Sequence, residues 1–268
     1  MSAQPEASGN SNRPQSPPSR HATSLISIII ACHSTVQSFL QESHPEDSLL
    51  YRVQRQTRKS LDVIEKALQD YTLDQLALSY NGGKDCLVLL ILFLAGLNSQ
   101  LPIDESTRSS IPAMYVAEAD PFSEMEDFVT WSKRIYHLDL AKYTKDGQTT
   151  LLSGFQDYLD KNSSVKAIFV GMRRTDPYGG NLAHFSRTDH GWPDFMRIHP
   201  VLDWRYAEIW AFLRHLHLEY CSLYDMGYTS LGGLSNTWKN PSLRIAETDD
   251  FRPAYELTDD DLERSGRS

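Results

Sequence analysis

At 268 residues the chain can bury one sizeable core, as a single large domain or one domain with appended helices. Its 40% hydrophobic and 23% charged content is that of an ordinary globular protein and excludes collagenous, disordered and disulfide-framework classes. A formal net charge of −9 argues against a broad basic face for nucleic acid, so phosphate recognition is expected to be confined to a local pocket.

Residues Met1 to Ala22, rich in Ser and Pro with Arg13, Arg20 and a single acid at Glu6, read as a disordered tail with a faint echo of an organelle transit peptide. Leu25 to Ala31 begins a helix or a short strand. From Ser48 to Leu68 the apolar residues Leu49, Leu50, Val53, Leu61, Ile64 and Leu68 fall at helical spacing. Leu76 to Tyr80 predicts a strand, Asn81 to Asp85 a glycine turn, and Cys86 to Leu97 a buried helix. That last apolar run is shorter than the roughly 20 residues a bilayer requires, so no membrane is expected as a partner.

A polar linker from Asn98 to Ser110 leads to a second strand at Ala113 to Ala117. Ser123, with Glu126 three positions on, has the pattern of a capping box for a helix from Glu124 to Lys133. Strand Ile135 to Leu140, helix Leu151 to Leu159 and strand Val165 to Val170 continue the alternation. Strand Phe195 to His199 stops at Pro200, and Asp203 is placed to cap a helix from Trp204 to Leu216. Beyond Tyr220 the chain is loop-rich, and the acidic run Asp259 to Glu263 reads as a solvated face. Alternating strands and helices imply an α/β fold, a mostly parallel twisted sheet with helices on both faces, helical at the N-terminal end and loop-rich at the C-terminal end. Residues 23–268 are read as one domain.

Cys32, Cys86 and Cys221 are widely spaced and contain no CxxC pair, which fits a reducing compartment, taken as the cytoplasm, and argues against a zinc-thiolate site. His215 and His217 stand two apart and cannot share a helix face, and HExxH is absent, so the histidines set no metal pattern.

The chemistry-bearing segment is Ser79-Tyr80-Asn81-Gly82-Gly83-Lys84-Asp85. Two glycines between a strand and a helix let the backbone turn sharply and expose amides at a helix N-terminus, a corner that attracts phosphate. Lys84 adds positive charge, Asn81 a donor to phosphate oxygen, and Asp85 a carboxylate of the kind that orients magnesium. The plain alternative is a tight turn with Asp85 as a helix cap. Walker and GxGxxG patterns are absent.

The turn resembles the pyrophosphatase loop, Ser-Gly-Gly-x-Asp-Ser, with Asn81 at the opening serine and Cys86 at the closing one. Further blocks are Gly171-Met172-Arg173-Arg174-Thr175-Asp176-Pro177-Tyr178, Phe185 to Asp189 with Gly191-Trp192-Pro193, Tyr228 to Gly232, Asn240 to Leu243, Arg252 to Tyr255 and Glu263 to Arg267. Together, over Leu76 to Arg267, they resemble the eukaryotic FAD synthetases (FMN adenylyltransferases), related in fold to phosphoadenylylsulfate reductase. The likeness is to the single-domain fungal form.

That resemblance implies an adenine nucleotide alpha hydrolase-like, Rossmann-like fold, with ATP and FMN as substrates, FAD as bound product and Mg2+ as cofactor. ATP would be held by Ser79, Tyr80, Asn81, Gly82, Gly83, Lys84, Asp85, Tyr115, Val116, Gly171 and Arg173. FMN would meet Arg174, Asp176, Tyr178, Phe185, Asp189, Trp192, Arg264 and Arg267, the aromatic rings stacking on the flavin. Asn81, Asp85, Arg264 and Arg267 are the expected catalytic set, Asp85 the expected metal ligand, and Asp194 is left outside the site. Asn81→Ala and Asp85→Ala are expected to lower turnover far more than stability. The protein is expected to be a monomer. The competing readings are another pyrophosphatase-loop enzyme of the sulfur-transfer or reductase type, and a non-catalytic adenine-nucleotide-binding module.

Overall fold

The computed structural model describes residues 24–268 apart from 105, 107 and 190, so the disordered tail expected over residues 1–22 lies outside the described residues. Serines start the first two helices. Ser24 Oγ accepts the amide of Ser27 at 3.3 Å to open α1 (Leu25–Gln41). Ser48 Oγ accepts that of Tyr51 at 3.2 Å to open α2 (Leu49–Asp70). The ambiguous segment after Leu25 is therefore helical throughout. α3 (Lys84–Gly96) is apolar on every side and buried along its whole length from Leu87 to Ala95, as a central helix must be.

Six strands form one sheet in the order β3-β2-β1-β4-β6-β5. They are β1 (Leu76–Ser79), β2 (Ile111–Ala117), β3 (Leu138–Thr144), β4 (Ala167–Val170), β5 (Phe185–Arg187) and β6 (Met196–Ile198). All pairings are parallel except that of the edge strand β5 with β6. The period of two sorts the strands' side chains. Leu76, Leu78, Ala113, Tyr115, Ala167 and Phe169 face the main core under α1, α2, α3 and α6 (Tyr206–His215). Ala77, Met114 and Ile168 face a smaller cluster with Phe155 and Tyr158 of α5 (Leu151–Lys161). None of the described helices is long and apolar enough to cross a membrane.

Four local expectations are corrected. α4 (Ser123–Ile135) has Phe122 at its N-cap and no capping box, because Glu126 is drawn away to Tyr115 Oη at 3.1 Å and to Lys142 Nζ. α4 continues through Ile135 and ends in a turn where His137 takes a φ of 53°, so β3 begins at Leu138 rather than Ile135. Asp203 caps nothing: its carboxylate accepts Arg174 Nε at 2.5 Å and Lys59 Nζ, while Arg205 is the N-cap of α6 and Glu208 accepts the Arg205 amide at 2.8 Å. The run Asp259 to Glu263 is not all solvated, since Glu263 is buried.

Candidate active site

β1 has β2 on one side and β4 on the other, so the connections leave in opposite directions and the carboxyl ends of these strands flank a crevice. The glycine turn leaves β1 at that edge. Gly82 sits at φ +76°, and a Cβ there would come within 2.8 Å of Met125 Sδ and Val129 Cγ2, so both backbone and packing demand glycine. Gly171, just after β4, lies so close to α3 that a Cβ would stand 2.9 Å from the Cys86 backbone.

A cleft of about 210 Å³ opens here. Its walls include Asn81, Gly83, Lys84, Asp85 and Cys86 of the turn, Tyr115, Val116 and Glu118 at the end of β2, and Met125 of α4. The other side is built by Gly171, Asp176, Tyr224, the loop Ser230 to Gly232, and Glu263 and Arg264 near the C-terminal end.

Beneath the cleft four charges close into a ring. Lys84 Nζ lies 2.5 Å from Glu263 Oε1 and 3.1 Å from Asp85 Oδ2. Arg173 lies 2.7 Å from Asp85 Oδ1 through Nε and 2.5 Å from Glu263 Oε2 through Nη2. The Arg173 side chain is fully enclosed and that of Asp85 is 18% exposed, making Asp85 the ring member most open to the cleft. The Arg173–Asp85 contact is an ion pair without hydrogen-bond alignment, and Asp85 Oδ1 accepts no hydrogen bond. Burial alone would raise the Asp85 carboxyl, but the neighbouring Arg173 and Lys84 outweigh it and hold it below the usual carboxylate range. Asp176 moves the other way, raised first by burial and then by the charge of Asp85. Asp176 Oδ2 accepts the Arg173 amide at 2.8 Å.

Not every amide of the turn is open to a ligand. Asn81 Oδ1 accepts the Gly83 amide at 2.9 Å, and Tyr224 Oη accepts the Lys84 amide at 3.0 Å. Asn81 therefore shapes the turn, with the rest of its amide group still exposed at the rim. The C-terminal segment is fastened over the cleft by Thr229 Oγ1, which donates to Glu263 O at 2.6 Å, and by Asn240 Nδ2, which donates to Leu262 O at 2.8 Å. This folds Arg264 back onto the site. Arg267 packs against Gly232, with its Nε buried and unpartnered.

Of the residues expected from sequence, Asn81, Gly83, Lys84, Asp85, Tyr115, Val116, Gly171, Asp176 and Arg264 meet in this cleft. Ser79 ends β1 just before the turn. Tyr80 is buried and donates to Ser132 Oγ at 2.9 Å, and Arg173 reaches the cleft through its partners Asp85 and Glu263. Arg174 is engaged with Asp203 and with Leu182 O at 2.8 Å. Tyr178 is 96% exposed, with φ 68°. Phe185 lies on the edge strand under Lys66, Trp192 packs edge-on against Phe155 with ring centroids 5.8 Å apart, and Asp189 is exposed outside the cleft wall. Asp194 forms an exposed fork with Arg187.

Sequence reasoning did not assign Cys86, Glu118, Met125, Tyr224, Ser230, Leu231, Gly232 or Glu263 to the site. Ser230 to Gly232 and Glu263 lay inside motif blocks already singled out, and Glu118 directly follows a parallel strand, where ligands collect. Tyr224 and Met125 carried no signal, because long-range folding alone brings them in.

The phosphoadenosine phosphosulfate reductase domain family matches residues 75–239, which spans the turn, the crevice and the Ser230 to Gly232 loop. The chain is 40% identical over 237 residues to a probable FAD synthase of Schizosaccharomyces pombe, covering 88% of this chain and 87% of that one. This chain belongs to the FAD synthase family. The fold agrees with solved structures of Candida glabrata FMN adenylyltransferase. The complex with FAD and inorganic pyrophosphate superposes with a TM-score of 0.88 at 29% identity, covering 93% of this chain and 99% of that one. The complex with FMN and the ATP analogue AMPCPP gives 0.85 at 29% identity, covering 92% and 98%. In FAD synthase terms, the mostly parallel sheet and the crevice beside β1 are the expected architecture, and the antiparallel edge strand β5 is an addition the sequence did not announce.

Proposed function

We propose that this chain transfers AMP from ATP to the phosphate of FMN, giving FAD and pyrophosphate. The observation that carries the reading is the C-terminal segment folded back so that Arg264 faces the glycine turn across one cleft. A phosphate oxygen of FMN attacks the α phosphorus of ATP. The new P–O bond forms as the bond to the bridging oxygen breaks, and its electron pair leaves with pyrophosphate. The attacking phosphate is already ionised near neutral pH, so positioning and charge neutralisation matter more than a general base. Lys84 supplies fixed positive charge under the turn. Arg264, exposed beside buried Glu263, offers a fork of donors to a phosphate.

The donor set fits magnesium. Asp85, Glu118 and Asp176 line the cleft, and Arg173 and Lys84 hold the Asp85 carboxyl ionised, matching an ion that takes one or two carboxylates along with substrate phosphates. Asp85 is the residue assigned to hold it, and the bound ion would shield charge on the polyphosphate.

A reductase reading requires a reactive thiolate. Burial pushes the thiols of Cys32 and Cys86 up to about 12 and that of Cys221 up to about 11, so all three stay protonated at physiological pH. The deciding experiment incubates the protein with FMN, ATP and magnesium and follows FAD and pyrophosphate, which should appear in equal amounts. ATP binding with no FAD formed would favour the non-catalytic module instead. Arg264→Ala should lower FAD formation about ten- to hundred-fold, the effect of losing one charge-assisted contact. The same reading takes the protein to be a monomer in the cytoplasm, checked by light scattering of the purified chain and by imaging of a tagged copy.

A further inference from the structure

We propose that Glu42, His44 and His215 form a divalent transition-metal site of the zinc class, separate from the nucleotide cleft. Glu42 follows the last turn of α1, His44 lies in the connection to α2, and His215 closes α6. Their positions in the chain gave no metal pattern, because the fold brings together residues from distant segments. Glu42 Oε2 stands 2.8 Å from His44 Nε2 and 2.7 Å from His215 Nε2, and the three ligand atoms lie within 4.8 Å of one another.

Zinc binds imidazole nitrogen and carboxylate oxygen at about 2.0 Å in tetrahedral geometry, which sets neighbouring ligand atoms about 3.3 Å apart. Seating the ion would open the two Glu42–imidazole separations by about half an ångström and bring the two imidazole nitrogens, which lie within 4.8 Å of each other, to the same spacing. Two neutral imidazoles and one carboxylate are a donor set that zinc accepts with a water at the fourth position. The side chains of Glu42, His44 and His215 are 39%, 16% and 30% exposed, which leaves that position open to solvent.

The surroundings hold the ligands in place. Buried Gln54 donates to Phe39 O at 2.7 Å and to Glu42 O at 2.9 Å, fixing the backbone where Glu42 leaves the helix. Phe39 packs against both imidazoles, with centroids 5.2 Å from His215 and 6.3 Å from His44. Supports of this kind, which fix first ligands through their backbone and ring faces, are what metal sites need in addition to the ligands. The nucleotide cleft lies at the other end of α6, where Lys84 Nζ sits 5.3 Å from the Tyr206 ring. Nine residues of helix put His215 about 14 Å away from it. A metal here would clamp α1 to α6 without entering the reaction.

The test is calorimetric titration of the metal-free full chain with zinc chloride, in the absence of nucleotide. One equivalent should bind with micromolar or tighter affinity and raise Tm. Glu42→Gln, His44→Ala and His215→Ala should each weaken binding at least about ten-fold. His217→Asn, which tolerates the left-handed backbone there, should leave it unchanged. Cobalt(II) should give visible absorption bands that vanish in His44→Ala. FAD formation with magnesium should be the same in Glu42→Gln as in the unaltered chain. Should His215→Ala prove unfolded by circular dichroism, His44→Gln carries the same comparison. A featureless zinc titration, as expected of a purely hydrogen-bonded staple, overturns the proposal, as does binding that survives all three ligand changes.

Discussion

Glu263 shows how a single side chain can serve both stability and the site. It balances Lys84 and Arg173 while holding the segment that carries Arg264. Removing one partner of a buried ion pair leaves charge uncompensated, so Glu263→Ala should cost about 3 to 5 kcal/mol in urea unfolding and lower FAD formation as well. Asp85→Ala should behave alike. The sequence-based expectation that it would spare stability is revised, because Asp85 belongs to the same ring. Gly82→Ala should cost about 2 kcal/mol, from a left-handed backbone and a methyl group driven against Met125 and Val129. Circular dichroism melts would read that loss, and an unaltered Tm would count against the packing argument. The turn and its immediate charges were legible in sequence because local spacing dictates a glycine corner. The ring was not, since Glu263 and Lys84 are brought together only by the folded tail.

Among the elements, long periodic segments were the readable ones. α2 shows why: an apolar stripe at helical spacing and a serine in front of it suffice. Ser48→Ala should cost about 1 kcal/mol of stability through the lost cap on the Tyr51 amide, measurable by denaturant titration. Parallel β1, β2 and β4 were readable as apolar runs, because both faces are covered. β5 was not. Its three residues, Phe185 to Arg187, have no pattern of their own and become a strand only by pairing with β6. Distant partners likewise displaced the local caps at Ser123 and Asp203: Tyr115 and Lys142 hold Glu126, and Lys59 and Arg174 hold Asp203.

For the molecule as a whole, pH exposes a buried base. His199 is fully enclosed just after β6, with Nδ1 3.1 Å from Ala183 O and Nε2 buried without a partner. Burial, against the Ala183 bond, pushes its pKa down from 6.5 to about 4. Between those values the unfolded chain binds a proton that the native chain refuses, so stability falls as pH falls through this window, by about 3 kcal/mol in full. Denaturant midpoints measured from pH 7 to pH 4 should show that slope, and His199→Gln should flatten it.

The four-membered ring under the cleft sums to zero charge, so it exerts little pull beyond its own neighbourhood. Polyphosphate and flavin phosphate must then drift toward a body of net −9 without a long-range lure. Capture should be governed by chance encounter at the rim, and stopped-flow association rates should rise, rather than fall, as salt thickens the ionic atmosphere.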